Sequence, residues 1–272
     1  MRKPINQFPF ASGTTNRFGR SSLGGGPSTT NSNARIATRP GTVTPASSVR
    51  PLAAATANLG LNSERQRAVM VQRLRNQGIQ DERVLAAMQT VPRHIFVDEG
   101  LASRAYEDAA LPIGYGQTIS QPWVVARMVA ALCEERLPTR VLEVGAGCGY
   151  QAAVLAQLIK EVYAIERIRG LFDLARFHLR TLRLASRVRL SFGDGMAGLP
   201  GNAPFDGIIV AAAGLKIPPA LLEQLSVGGR LIAPEGGAAQ RLVLIERTGP
   251  GTWQRQELES VRFVPLRAGT QS

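Results

Sequence analysis

The chain has 272 residues, 44% of them apolar, and its 32 Lys/Arg against 20 Asp/Glu give a net charge of +12. That length allows one or two domains with a sizeable core, and no apolar run approaches the ~20 residues that a membrane-spanning helix needs. Two cysteines and two histidines offer no disulfide framework and too few ligands for a Cys/His metal site, so a reducing compartment, the cytoplasm, and no metal are expected.

In chain order, residues 1–60 come first, with seven of the basic residues and no acid. Rich in Ser, Thr, Gly, Asn and Pro, they bury too little apolar surface to offset the entropy of ordering and are expected to form a disordered basic tail. More than half of the net charge therefore lies outside the folded part, and nucleic acid is not an expected partner. From Leu61 the composition becomes that of a folded domain. "SERQRAVMVQRLRNQG" predicts a helix from a Ser63 cap to Gly78, and "DERVLAAMQTVP" a second helix capped by Asp81, with Pro92 beyond its end. The polar stretch "IGYGQTISQP" then leads into a helix from Pro122 to about Glu135. Residues 61–136 thus read as N-terminal helices with a substrate segment.

Residues 137–272 alternate. The strands "RVLEV", "EVYAIE", "RVRLSFGDG" and "FDGIIVAAA" are interleaved with the helices "YQAAVLAQLI", "RGLFDLARFHLRTLRL" and "PPALLEQLS". "GGRLIAPEG", "QRLVLIERT" and "SVRFVPL" close the chain as strands. This pattern predicts an α/β fold: a doubly wound, mostly parallel sheet of Rossmann-like type, with antiparallel strands near the C-terminus and a helical N-terminal part.

Three features fall at the carboxyl ends of successive strands, where open α/β sheets bind ligands. Gly145, Gly147 and Gly149 form a strand-to-helix turn that lets a ligand approach the backbone. Their spacing is G-x-G-x-G, whereas a dinucleotide fingerprint is G-x-G-x-x-G. Glu143 on the strand ahead disfavours a phosphate and suits an ammonium or sulfonium group. Glu166 ends the next strand, where a carboxylate can accept both hydroxyls of a ribose. Asp194 in "GDG" ends the third; it is placed to accept from an adenine amine, with Gly195 leaving room for the ring. Taken singly these are a tight turn, an exposed acid and a loop. Together they describe an adenosine without phosphates, and S-adenosyl-L-methionine is the expected cofactor.

The strings "YEDAALPIGYGQTISQPWVVARM", "VLEVGAGCGYQAAVLAQL", "YAIERIRGL", "GDGMAGLPGNAPFDGIIVAAA", "IPPALLEQLSVGGRLIAPEG" and "VRFVPL" resemble the protein-L-isoaspartate O-methyltransferase family from about Leu61 to about Leu266. "QTISQP" is specific to that family, whereas the glycine turn is shared by many methyltransferases. Cys148, Met196 and Gly214 depart from the family pattern. The resemblance implies a class I methyltransferase fold and methyl transfer from S-adenosyl-L-methionine to the α-carboxylate of L-isoaspartyl residues in damaged proteins and peptides, which starts their repair. It implies a monomer without a membrane anchor. It also implies that Gln117, Thr118, Ile119 and Ser120 hold the substrate, with Ser120 in the catalytic position.

The helix starting at Pro122 gives this segment a chemical rationale, because free N–H groups and the positive end of the dipole attract a carboxylate. Ser120 would add a hydroxyl donor rather than attack, since no partner base lies nearby in sequence. Its bland alternative is a plain helix N-cap. Two other functions remain open: a methyltransferase acting on RNA or a small molecule, and a non-enzymatic nucleic-acid-binding protein. The first would carry an amide and aromatic motif where this chain has "VAAAGLKIPP". The second would carry a basic face on the folded part.

Overall fold

The computed structural model describes the backbone of residues 52–272 and the side chains of residues 63–272. Helix α1 (Leu52–Asn76) starts ahead of the expected Ser63 cap, so Ser63 lies inside the helix and residues 52–60 are helical. The rest of the expected basic tail lies outside the described residues. Gly78, at φ +97°, follows the end of α1. Asp81 caps α2 (Glu82–Thr90) as expected, its side chain accepting from the Arg83 N–H. Two short 3₁₀ turns, Arg93–Phe96 and Glu99–Arg104, lead to a hairpin.

That hairpin is the first departure from the sequence reading. The stretch ahead of the third helix pairs with itself as β1 (Leu111–Gly114) and β2 (Gln117–Ile119), antiparallel, with Leu111 opposite Ile119. Its turn takes three consecutive residues at positive φ, Gly114, Tyr115 and Gly116, which two glycines make accessible. Helix α3 (Pro122–Cys133) follows, with Pro122 in its first turn.

The alternating half of the chain forms β3 (Arg140–Val144), α4 (Tyr150–Leu158), β4 (Glu161–Glu166), α5 (Arg169–Thr181), β5 (Val188–Phe192), β6 (Phe205–Val210), α6 (Pro219–Glu223), β7 (Leu225–Gly236), β8 (Gln240–Gly249) and β9 (Thr252–Val261). One seven-stranded sheet results, in the order β5-β4-β3-β6-β7-β8-β9. β3 pairs in parallel with β4 and β6, β4 with β5, and β6 with β7; β8 and β9 are antiparallel. The chain order reverses beside β3, the position where doubly wound sheets open a crevice.

Both faces of the sheet are covered, so successive side chains of each strand enter two different cores. Val141, Val162, Ala164 and Ile209 face one core, shared with α1–α4. Leu142, Val144, Tyr163, Ile165, Ile208 and Val210 face the other, with Leu221 of α6. Arg93 ties the N-terminal layer to α4. It is fully buried, its Nε donates to the Ala105 carbonyl at 2.7 Å, and its guanidinium lies over the Tyr150 ring at 4.8 Å. Burial pulls its pKa down.

The C-terminus also departs from the expectation. The last strand is Thr252–Val261, and of "VRFVPL" only Val261 belongs to it. The remainder crosses the carboxyl ends of the parallel strands as a strap. Ala213 N–H donates to Val264 O, Leu266 N–H to Ala213 O, and Gln271 exchanges backbone hydrogen bonds with Arg167 and Arg169. A Pro at 265 suits this role, since the strap forms single bridges rather than a ladder.

Candidate active site

A cleft of about 870 Å³, open to solvent, lies at the carboxyl ends of β3, β4 and β6. It is lined by Glu143, the 145–148 turn and Glu166 on one side, and by Gln117, Thr118, Ile119 and Ser120 on the other. The strap residues Val264–Arg267 form a further wall. The expected cofactor and substrate segments therefore share one space.

The glycine turn is locked from within. Gly145, Gly147 and Gly149 all have positive φ. The Gly145 and Ala146 N–H groups both donate to Ile165 O, that of Gly149 to Ala146 O, and that of Gly147 to Glu166 Oε2 at 2.8 Å. A phosphate loop presents such N–H groups to its ligand; here they hold the protein together. A Cβ on Gly149 would lie 3.2 Å from the Ala175 Cβ, so this glycine also lets α5 pack close.

Glu166 is nearly fully buried and lines the cleft. Its Oε2 accepts from Gly147 and its Oε1 from the Ile168 N–H at 2.8 Å. Each oxygen keeps a second lone pair, so two acceptors are fixed in place side by side. Glu143 is fully buried as well. Its Oε1 accepts from Gln151 Nε2 at 3.0 Å, while Oε2 has no partner among the described residues. Burial pushes the Glu143 carboxyl up to about 8; the Gln151 hydrogen bond opposes this and the nearby Glu166 charge adds to it. A buried acceptor without a donor, on a residue that lines the cleft, fits a ligand that brings a cation.

Asp194 stands next to the cleft wall, which Gly195 lines. Its Oδ1 accepts from the Met196 N–H and its Oδ2 from the Gly269 N–H, both at 2.8 Å. The carboxylate expected to meet an adenine amine also pins the strap. A Cβ on Gly195 would come within 2.6 Å of Val144 Cγ1, so the glycine lets the chain pass close to β3 where it lines the cleft.

Ser120 is not the helix N-cap. Gln121 occupies that place, without a side-chain capping bond. The Ser120 hydroxyl lines the cleft and has no hydrogen-bond partner among the described residues. The helix end itself is less free than expected. Pro122 has no N–H, and the Trp123 N–H donates to Asp108 Oδ1 at 3.2 Å. An internal carboxylate therefore takes part of the anion-attracting end of α3. Neither histidine lines the cleft with Ser120: His94 bonds Tyr106, and His178 bonds the Cys148 carbonyl beneath the glycine turn. The thiol of Cys148, buried, is pushed up to about 11.

The sequence reading missed Gln151, the strap, and Tyr115. Gln151 follows the glycine turn by two residues, a spacing that carries no signal by itself. Tyr115 sits on the hairpin tip and packs against Gly170 at the start of α5, where any Cβ would collide with its ring and hydroxyl. The hairpin thereby spans the cleft mouth, with Ile113 against Gly147.

Comparison with known proteins gives a consistent result. The family model described as Protein-L-isoaspartate(D-aspartate) O-methyltransferase (PCMT) matches residues 64–271. A Protein-L-isoaspartate O-methyltransferase of Bordetella petrii is 71% identical over 260 residues, covering 94% of this chain and 93% of its own. One of Bordetella avium is 66% identical over the full length of both. Among solved structures, a protein-L-isoaspartate O-methyltransferase superposes with TM-score 0.68 at 26% identity, covering 75% of this chain and 67% of its own. A Plasmodium falciparum structure titled as a putative member, in complex with S-adenosyl-L-homocysteine, has TM-score 0.64 at 24% identity, covering 74% of this chain and 98% of its own, and shares the fold.

Proposed function

Because the chain belongs to the protein-L-isoaspartate(D-aspartate) O-methyltransferase family and transfers a methyl group from S-adenosyl-L-methionine to isoaspartyl residues of damaged proteins, we propose that it does so by alignment alone. The cofactor supplies, when bound, a methyl group on a sulfonium, already a good leaving group. The glycine turn and Glu166 would hold its adenosine, the two fixed oxygens of Glu166 accepting from the ribose hydroxyls. Glu143 would face its positive end. Asp194 would serve the adenine side and also fix Gly195 and the strap.

The substrate α-carboxylate is ionised near neutral pH and needs no base to become a nucleophile. What remains for the protein is to hold one oxygen in line with the methyl group and keep water away. The free hydroxyl of Ser120 donates to the carboxylate and sets its angle. Gln117, Thr118 and Ile119 frame it from strand β2, and Ile113 and Val125 provide apolar walls. The single observation that carries this reading is that Ser120, whose hydroxyl has no partner among the described residues, and Glu143, whose Oε2 has none, line the same cleft, which no histidine lines.

The same reading assigns residues 61–136 to substrate capture and 137–272 to the cofactor. It takes the enzyme as a cytoplasmic monomer that binds no nucleic acid. Among the described residues, no helix is long and apolar enough to cross a membrane. The test uses two peptides that differ only in an aspartyl or isoaspartyl linkage, with methyl-labelled cofactor. Base-labile label in the isoaspartyl peptide alone is expected; label in both, or in neither, would overturn the proposal.

A further inference from the structure

The cleft contains a buried acid that the alignment of substrate and methyl group does not require. Glu143 sits at the end of β3, between Ala164 of β4 and Ile209 of β6, neither of which titrates. The ionisable groups around it are few. Glu166 at the end of β4 faces it as a like charge, and Cys148 of the glycine turn is a buried neutral thiol. From α4 it meets Gln151, which donates a single hydrogen bond. The buried cation Arg93 lies beyond, and its field falls on Tyr150 and Cys148. Arg167 and Arg267 line the same cleft, but neither is among the groups that act on Glu143, and its Oε2 has no donor among the described residues.

An ionised carboxylate in that position would be a buried charge beside another acid, the costliest arrangement for this group. A proton on Oε2 removes the charge. A positive ligand entering the cleft reverses the balance, because its charge replaces the missing counter-ion. We propose that Glu143 is a proton-coupled sensor of the donor's positive charge: it is a neutral acid in the free enzyme, and binding of the cationic donor drives its proton to solvent. The inference rests on the cofactor reading above. The O–H bond of the carboxyl breaks, its electron pair stays on Oε2, and the proton leaves to buffer; no other group changes.

The consequence is a preference for cationic ligands that strengthens with pH. Since the complex holds fewer protons than the free enzyme, donor affinity rises with pH. The rise approaches about tenfold per pH unit below the free-enzyme midpoint and levels off above it. Burial places that midpoint at about 8, so the neutral range is where the coupling operates. A glutamine at 143 keeps the size and the hydrogen bond to Gln151 but has no proton to give.

Titration calorimetry of the full chain with S-adenosyl-L-methionine at pH 7, in phosphate and in Tris, reads the protons released from the difference between the two buffer heats. Close to one proton per donor is expected for the parent and close to none for Glu143→Gln, with binding still measurable. Zero release by the parent, proton uptake, or equal release by both proteins would overturn the proposal while leaving the cofactor reading intact. Absence of donor binding by the parent would overturn both. Should the variant fail to fold, the parent's buffer difference and the slope of its donor affinity from pH 6 to pH 7 decide the question.

Discussion

Ser120 and Glu166 line one cleft and have opposite tasks, which makes them separable. Ser120 offers a hydroxyl that bonds no group among the described residues, so its removal costs chiefly the contact with substrate. A hydrogen bond to a charged partner contributes about 1.5–3 kcal/mol. Ser120→Ala should therefore lower kcat by roughly tenfold to a hundredfold and leave donor affinity unchanged. Glu166 is different: it holds the Gly147 and Ile168 N–H groups as well as facing the cleft. Glu166→Ala should weaken donor binding strongly, with a smaller loss of kcat at saturation. Steady-state kinetics beside donor calorimetry distinguish the two, and a loss of donor affinity in Ser120→Ala would contradict its role. Glu143 adds a stability effect. Its carboxyl, raised to about 8 from 4.5, keeps in the folded state a proton that the unfolded chain gives up. The stability it contributes is complete below pH 4.5 and is lost as the pH rises through 8. Glu143→Gln removes that dependence. Its stability relative to the parent should grow between pH 5 and pH 8, by up to about 1.4 kcal/mol per pH unit. Thermal unfolding at the two pH values checks this, and an unchanged difference would contradict it.

At the scale of elements, the hairpin and the strap decide how enclosed the cleft is. The hairpin brings the substrate segment over the glycine turn, and the strap is tied down at Asp194, Arg167 and Arg169. Deleting residues 269–272 removes the Gly269 and Gln271 ties, so donor dissociation should speed up by about tenfold or more, the equivalent of losing one or two hydrogen bonds. Stopped-flow displacement measures it, and an unchanged rate would show that the strap is only a terminal extension. These two elements are also where the sequence was hardest to read. The parallel strands announce themselves as continuous apolar runs between glycines, and Asp81 and Pro92 punctuate α2 by local chemistry alone. The hairpin strands are only four and three residues long, too short for alternation to stand out. The strap makes single bridges whose partners are far away in sequence. Glu143, Glu166 and Ser120 were legible because each occupies a fixed place relative to a strand end or a helix start. For Asp194 the place at a strand end was clear, but a strap arriving from residue 269 to bond it could not be foreseen. The free end of α3 was overestimated likewise, since Asp108 bonds Trp123 across a turn that local patterning does not reveal.

At the scale of the molecule, a sheet covered on both faces leaves its carboxyl edge as the one place where polar groups converge without a packing role. The order reversal beside β3 opens that edge, and the hairpin, the glycine turn and the strap close around it. Two acids stand on neighbouring strand ends of the cleft, and a cationic donor is the partner that lets both carry their charge. The methyl acceptor is itself an anion, and the positive donor, the N–H and O–H donors and the cleft-lining Arg167 and Arg267 are what can draw it in. The central claim is that one space holds both reactants and that Ser120 sets the angle between them. A crystal structure with S-adenosyl-L-homocysteine and an isoaspartyl peptide tests it most directly. The account predicts an α-carboxylate oxygen about 3 Å from Ser120 Oγ and facing the sulfur, with the ribose hydroxyls on Glu166. A carboxylate bound away from Ser120, or a ribose that avoids Glu166, would contradict it.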